Sequence, residues 1–327
     1  MNVLITGAGG FIGQALAAAL LQDPSISTLT LTDIVEPPVP DKHGTTTTGI
    51  HPVKADLTDK TTCERLFTSE LTIVYLLQRV LHHGLMSGAA EANLNLGLRV
   101  NIDSTRFILD VLREVKPGFR VVFPSSLAVF GPSEGKLVTE ATMPLPGSSY
   151  GAQKLICEIL LNDFSRRGLI DGRILRLPTI IVRPGAPSGA ASSFCSGIIR
   201  EPLKGEKSIL PVSRDLKLWV CSTRTIIKNL VYAKDIPTAK FGAGSRIVNL
   251  PGITVTVDEM LQVLGDAGGP KALSLIEERK DPAVESIVAK WPAQFDTGLA
   301  RTLGFHDDNS LAFAVNEYLQ DYGYYSV

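Results

Sequence analysis

Val3-Leu4-Ile5-Thr6-Gly7-Ala8-Gly9-Gly10-Phe11-Ile12-Gly13 is an apolar run that ends in a glycine-rich turn and passes into a helical pattern. The run reads as a buried parallel strand. Phe11 to Gln22 reads as a helix, with Ala15, Leu16, Ala19 and Leu20 on one face. Gly7, Gly10 and Gly13 are spaced G-x-x-G-x-x-G. Residues without a Cβ let the main chain turn tightly and let a diphosphate approach its amides. The first turn of the following helix adds partial positive charge. Strand, turn and helix in this order point to a dinucleotide site built on Gly7, Gly10, Phe11, Ile12 and Gly13.

Moving outward, Leu29-Thr30-Leu31-Thr32 forms a second strand that ends at Asp33, 20 residues after Gly13. A carboxylate there accepts hydrogen bonds from an adenosine ribose and repels a 2′-phosphate. No Arg or Lys occurs in the next eight residues, so the site favours NAD over NADP. A third strand near His51-Pro52-Val53-Lys54 leads to Asp56 and Leu57, also expected at the cofactor, with a solvated turn as the competing reading of Asp56. Thr72 to Leu77 is a fourth strand, with Leu76 near its end and expected at the cofactor. Asn93 to Val115 reads as one long helix, with Leu94, Leu98, Ile102, Ile108, Leu109 and Leu112 at helical spacing and Asn101 in its middle. Arg120 to Pro124 is a fifth strand ending at Ser125 and Ser126. Tyr150 to Arg166 is a helix with Leu155, Ile156, Ile159, Leu160 and Phe164 as its packing face, and Arg173 to Leu177 is a sixth strand.

This alternation predicts an α/β fold, a Rossmann-like doubly wound parallel sheet whose ligands sit at the carboxyl ends of the strands. Residues 1–178 form the expected dinucleotide-binding domain, with a segment near 217–250 returning to it. Beyond Pro178 prolines break the rhythm, and 179–327 is expected to build mainly a smaller C-terminal substrate-binding lobe.

The chemistry concentrates in Ser148-Ser149-Tyr150-Gly151-Ala152-Gln153-Lys154 and in Ser126, 24 residues before Tyr150. Positions i and i+4 share a helix face. A phenol near its reference pKa of about 10 is a poor base at neutral pH, and a nearby ammonium favours the phenolate. Tyr150 is therefore the expected proton acceptor, Lys154 its tuner and a ligand of the nicotinamide ribose, and Ser126 the group that holds the substrate oxygen. Asn101, also expected among the cofactor-binding residues, bends the helix, holds a water or supports Lys154, with a plain polar helix residue as the competing reading.

Bulk properties exclude several alternatives. The chain has 327 residues, 44% hydrophobic and 20% charged, with a formal net charge of -1. Nothing in that balance points to nucleic acid or an anionic membrane surface. No uninterrupted apolar run of about 18 residues occurs, and Met1 to Leu21 lacks the positive start of a secretion signal. Cys63, Cys157, Cys195 and Cys221 are far apart with no CxxC pair, which suits reduced thiols in the cytoplasm. No metal ligand set is expected.

With these residues the chain resembles an extended short-chain dehydrogenase/reductase of the NAD-dependent epimerase/dehydratase type. Ser125-Ser126-Leu127-Ala128-Val129-Phe130-Gly131, Arg176 to Gly185, Ala191-Ser192-Ser193-Phe194, Gly197 to Leu203, Asn249-Leu250-Pro251-Gly252 and Trp291 to Asp296 carry a closer resemblance. They are similar to the branch of the family that oxidises the C2 hydroxyl of D-erythronate, a four-carbon sugar acid, with NAD. The resemblance implies a small carboxylate substrate. Arg183 is the first expected carboxylate ligand, with Ser192 and Ser193 beside it and Arg200 and Arg246 as further candidates; Ser126 and Tyr150 meet the reacting hydroxyl. Pro178 is implied at the nicotinamide, and a homodimer is implied through the tyrosine helix and the long helix. An epimerase or dehydratase that keeps its NAD, a reductase of a larger ketone and a non-catalytic NAD-binding regulator are the alternatives. The chain departs from the family pattern at Leu77 and Gln78, where small residues are usual, through Arg79, His82 and His83, and at Phe130, where tyrosine is usual.

Overall fold

The opening apolar run is strand β1 (Asn2–Thr6), and the glycine turn leads into α1 (Phe11–Leu20). The computed structural model describes residues 1–41, 47–77, 87–133, 135–187, 190–242 and 244–323. There follow β2 (Thr28–Asp33), β3 (Gly49–Lys54), α2 (Lys60–Leu66) and β4 (Ile73–Tyr75). Next come α3 (Ser87–Ala92), α4 (Leu94–Gly97), a π-helical stretch (Leu98–Asp103), α5 (Ser104–Val115), β5 (Phe119–Ser126), α6 (Ser149–Arg166) and β6 (Ile170–Leu177). The remainder holds β7 (Thr179–Ile181), α7 (Phe194–Leu203), β8 (Ser208–Leu210), β9 (Lys217–Ser222), α8 (Thr223–Ala233), β10 (Ile247–Asn249), β11 (Ile253–Thr256) and α9 (Val257–Leu273). The chain closes with β12 (Ile276–Glu278), α10 (Pro282–Val288), α11 (Gly298–Leu303) and α12 (Leu311–Tyr322).

The main sheet runs β10-β6-β5-β4-β1-β2-β3, and every pairing in it is parallel. Chain order reverses between β1 and β4, which makes the carboxyl end of β1 the crevice where an open α/β sheet takes its ligand. One sheet face buries Val3, Ile5, Leu16, Leu20, Leu29 and Leu31 together with Ile226 and Leu230 of α8 and Leu303 of α11. The other buries Leu4, Val74, Val121, Phe123, Leu109, Leu112, Cys157 and Leu161 under α2, α5 and α6. Each such aliphatic side chain contributes roughly 1.5–3 kcal/mol when fully buried. A third core joins α7, α9 and α12 to β9. A smaller cluster, Leu127, Val129, Phe130, Val138, Trp219 and Phe295, links the end of β5 to the later part of the chain. β10 pairs with β6, so this late strand belongs to the main sheet.

Several expectations change in detail. The fourth strand is only Ile73–Tyr75. The long helix is interrupted by the π-helical stretch that contains Asn101, whose carbonyl accepts from Thr105 Oγ1 at 2.8 Å and Cys157 Sγ at 3.1 Å. A carbonyl engaged by side chains suits the wider turn of such a stretch. On α6 the expected packing face is rotated. Cys157 and Leu161 are fully buried, whereas Ile156 and Ile159 are 41% and 61% exposed. Among the described residues no helix is long and apolar enough to cross a membrane.

Candidate active site

The glycine turn is shaped by two absent side chains. Gly7 adopts φ +60°, a left-handed conformation that favours glycine. A Cβ on Gly13 would lie 2.5 Å from Gly7 O and 2.7 Å from Ala8 Cα, so α1 packs directly onto the turn. The Ala8 amide donates to Thr32 O at 3.0 Å, pinning the turn to β2. Gly10 at the N-cap of α1 provides no side-chain cap, and the first turn holds no acidic residue. The first turn of α1 thus brings no anionic side chain of its own to its positive end. Asp33 closes the arrangement: its Oδ2 accepts from the Gly9 amide at 3.1 Å and its Oδ1 from the Ile34 amide at 2.8 Å. Turn and carboxylate form one unit, and these residues fit a dinucleotide.

The other expected cofactor residues are distributed less favourably. Asp56 is exposed, and its Oδ1 accepts from the Thr58 amide at 2.9 Å and hydroxyl at 2.7 Å, so it serves the turn before α2. Leu57 is half-buried against the core beside it. The Leu76 side chain lies in that core at 1% exposure. Leu77 is also buried, and its carbonyl accepts from Thr6 Oγ1 at 3.0 Å. Gln78, Arg79, His82 and His83 lie outside the described residues.

Tyr150 and Ser126 meet because α6 begins against the turn that follows β5. Ser148 caps α6, its Oγ accepting from the Gly151 amide at 3.1 Å. A Cβ on Gly151 would lie 2.0 Å from Ala128 O, so only glycine allows this approach. Ser126 Oγ accepts from the Ala128 amide at 3.1 Å and hydrogen-bonds Tyr150. Burial pushes the Tyr150 phenol up to about 12, and the Ser126 hydrogen bond opposes that rise. Lys154 is 5% exposed, and burial lowers it to about 8. Its Nζ donates to Pro124 O at 2.8 Å and lies 4.4 Å from the Phe123 ring centroid and 6.0 Å from that of Tyr150.

The phenol thus stands above its ordinary value, where a nearby ammonium was expected to bring it down. Asn101 is 4% exposed and donates from Nδ2 to Gln153 Oε1 at 2.6 Å, so it grips the residue beside Lys154.

Pro178 is buried between β6 and β7. Val182, just past β7, is a buried β-branched residue at φ +51°. Strain of this kind costs on the order of 1–3 kcal/mol and clusters at functional sites. The next residue is Arg183, whose amide and Nε both donate to Ser196 Oγ, at 3.1 and 3.3 Å. Burial lowers its guanidinium from its ordinary value. Among the described residues no carboxylate lies within ion-pair distance of Arg183. Ser192 and Ser193 are half-buried on the short turn before α7. Arg200 is otherwise engaged: it donates to Arg183 O at 2.6 Å and pairs with Glu201. Arg246 precedes β10, at the amino ends of the strands, and donates to Thr238 O. Phe130 is buried on the Phe295 and Arg176 side chains.

Sequence reasoning missed Ser196, which holds Arg183, and the pairing of Glu158, on the Tyr150 helix, with Arg176 of β6 beneath it. A lone charge on a helix carries no mark of burial, although Glu158 four residues after Lys154 continues the face of Tyr150 and Lys154.

The profile of the NAD dependent epimerase/dehydratase family matches residues 3–241. D-erythronate dehydrogenase of Cupriavidus necator is 41% identical, over 99% of both chains. D-erythronate dehydrogenase of Haemophilus influenzae is 38% identical, over 98% of this chain and 99% of the relative. Among solved structures, a nucleoside-diphosphate-sugar epimerase from Agrobacterium tumefaciens superposes with a TM-score of 0.89 at 34% identity, covering 98% of this chain and 94% of that one. L-threonine 3-dehydrogenase from Trypanosoma brucei has a TM-score of 0.86 at 24% identity, a likeness of fold.

Proposed function

The chain belongs to the NAD-dependent epimerase/dehydratase family, and from that premise we propose an NAD-dependent dehydrogenase that oxidises the 2-hydroxyl of a small sugar acid such as D-erythronate. The observation that carries this reading is the Ser126–Tyr150 hydrogen bond with Lys154 one helical turn on, in a chain similar along its length to two D-erythronate dehydrogenases.

The oxidised nicotinamide, when bound, supplies the hydride acceptor and a positive ring charge. The glycine turn and the end of α1 hold the diphosphate, and Asp33 takes the adenosine ribose, which favours NAD over NADP. Gly7, Gly10, Phe11, Ile12 and Gly13 carry the diphosphate, and Pro178 borders the nicotinamide. Residues 1–178, with the late segment near 217–250, carry the cofactor, and 179–327 mainly closes over the substrate. Ser126 holds the substrate oxygen. Tyr150 takes its proton, and such general-base help is worth roughly 10²–10⁴ in rate. Lys154, as an ammonium, favours the phenolate. Arg183, with Ser192 and Ser193 nearby, binds the carboxylate; Ser196 keeps the guanidinium in place.

D-erythronate with NAD should yield free NADH, followed by its near-ultraviolet absorbance. Arg183→Met should raise KM at least about tenfold with a smaller change in kcat, because an ion pair to the carboxylate serves ground and transition state alike. No NADH from any four- to six-carbon aldonate or uronate would sink the reading. A second reading, an epimerase that regenerates its NAD each cycle, draws on the 34% identical solved structure. Against it, Leu127 and Ala128, next to Ser126, are buried and carry no acid or base. Epimerised product without NADH would establish it.

The protein works as a homodimer. Leu94, Leu98, Ile156 and Ile159 are 52%, 38%, 41% and 61% exposed on the α4, π-helical and α6 surface. A second copy covering that face removes them from water. Light scattering should show a dimer, and Ile159→Arg a monomer. A monomeric parent overturns the assignment. Four buried thiols suit a cytoplasmic setting.

A further inference from the structure

Beneath Ser126 and Lys154, the contact between α6 and the carboxyl ends of β5, β6 and β10 is ionic. Glu158 is fully buried. Arg176 of β6 grips it, with Nε 2.9 and 3.1 Å from the two carboxylate oxygens and Nη2 2.7 Å from Oε2. Ser125 Oγ donates to Oε1 at 2.5 Å. The Phe130 ring lies 4.6 Å from the guanidinium carbon, and Asn249 of β10 is the register neighbour of Arg176. Arg176 Nη1 and both polar side-chain atoms of Asn249 are buried with no hydrogen-bond partner among the described residues.

Stability alone is a weak reason for such a cluster. Apolar residues of equal volume often match or better a buried ion pair, and each orphaned polar atom is a cost. Its position is more telling. Tyr150, Lys154 and Glu158 follow one another at four-residue intervals on one face of α6. They attach to three consecutive residues at the end of β5: Tyr150 to Ser126, Lys154 to Pro124 O and Glu158 to Ser125 Oγ.

We propose that Glu158 is a positioning residue for the oxidation: locked by Arg176 and Ser125, it sets the register of α6 that brings Tyr150 and Lys154 to Ser126. It also places a fixed negative charge one turn from Lys154, favouring the charged amine. Among the described residues, other groups facing that amine include Tyr150 and Cys157 on α6, and the Phe123 ring and Pro124 carbonyl on β5. The inference rests on the reading of Ser126, Tyr150 and Lys154 as the reacting groups.

Glu158→Gln keeps the shape and removes the charge. It should lower kcat about tenfold to a hundredfold and leave NAD affinity unchanged. The rising limb of kcat/KM against pH reports proton loss from the Tyr150–Lys154 pair. Without the buried anion that proton leaves more readily, so the limb should move to lower pH by about one unit. Glu158→Asp should keep the parental limb and lose only part of kcat. The double variant Glu158→Leu/Arg176→Met should melt no lower than the parent yet keep the kinetic defect and the displaced limb. A double variant with parental kcat and parental limb overturns the proposal, as does Glu158→Gln with both unchanged. If Glu158→Gln and the double variant fail to fold, Glu158→Asp decides: parental kcat overturns the proposal. Tyr150→Phe is assayed alongside. An active Tyr150→Phe sinks the catalytic reading itself, whereas an inactive one beside parental Glu158 variants sinks only the role of Glu158.

Discussion

Tyr150→Phe lowers kcat for oxidation by roughly 10²–10⁴-fold, about 3–5 kcal/mol of transition-state stabilisation, while NAD binds as before. The substitution removes one oxygen and keeps the ring. The helix start is retained, because Ser148 caps α6 and Gly151 still fits against Ala128 O. The glycine turn and Asp33 are untouched. What disappears is the proton acceptor hydrogen-bonded to Ser126. Burial pushes that phenol up to about 12 and lowers Lys154 to about 8. A protonated phenol cannot accept the substrate proton. Parental oxidation therefore rises with pH as Tyr150 loses its proton, and it falls away on the acid side. Tyr150→Phe should lose this rise along with turnover. Stopped-flow or steady-state NADH formation across pH, with NAD affinity from calorimetry, checks it. Parental turnover in the variant would remove Tyr150 from the reaction.

Gly13→Ala weakens NAD binding at least about tenfold and lowers stability by about 1–3 kcal/mol, the usual cost of overpacking. The added methyl carbon would meet Gly7 O at 2.5 Å, Ala8 Cα at 2.7 Å and Ala8 O at 2.8 Å. All three are backbone atoms of the turn, and none can swing aside as a side chain does. Either α1 lifts from the turn or the turn opens, and both distort the proposed diphosphate cradle. Gly244→Ala is the control, since a Cβ there meets nothing within 4 Å. Calorimetric NAD titration and thermal melting separate the two effects. A Gly13→Ala protein with parental NAD affinity would show that the turn is not the cofactor cradle.

How much of the site was legible depended on how far apart its parts lie in the chain. The strand, turn and helix around Gly7, Gly10 and Gly13 are contiguous, so spacing and apolarity report them together. Tyr150 and Lys154 are one helical turn apart, and Ser126 ends a strand whose run of Val121, Val122 and Phe123 is unmistakable. Asn101 was visible as a polar residue in a helix, but its partner Gln153 is 52 residues away. The faces of α6 were misjudged because Ile156 and Ile159 have the apolar character of a core without its burial. Periodicity reports which residues share a face, and it does not say whether that face meets the sheet or another surface.

Short-range rules were enough to establish the order of strands and helices and to point to the glycine turn and to the Tyr150 and Lys154 pair, because backbone sterics and helical periodicity act within a few residues. Charge and desolvation answer to distance in space. That burial raises the Tyr150 phenol, that Arg183 leans on Ser196, and that Glu158 is clamped between Ser125 and Arg176 all required β5, β6, β7, α6 and α7 to pack. Only then do residues 13 to 33 positions apart share one low-dielectric interior.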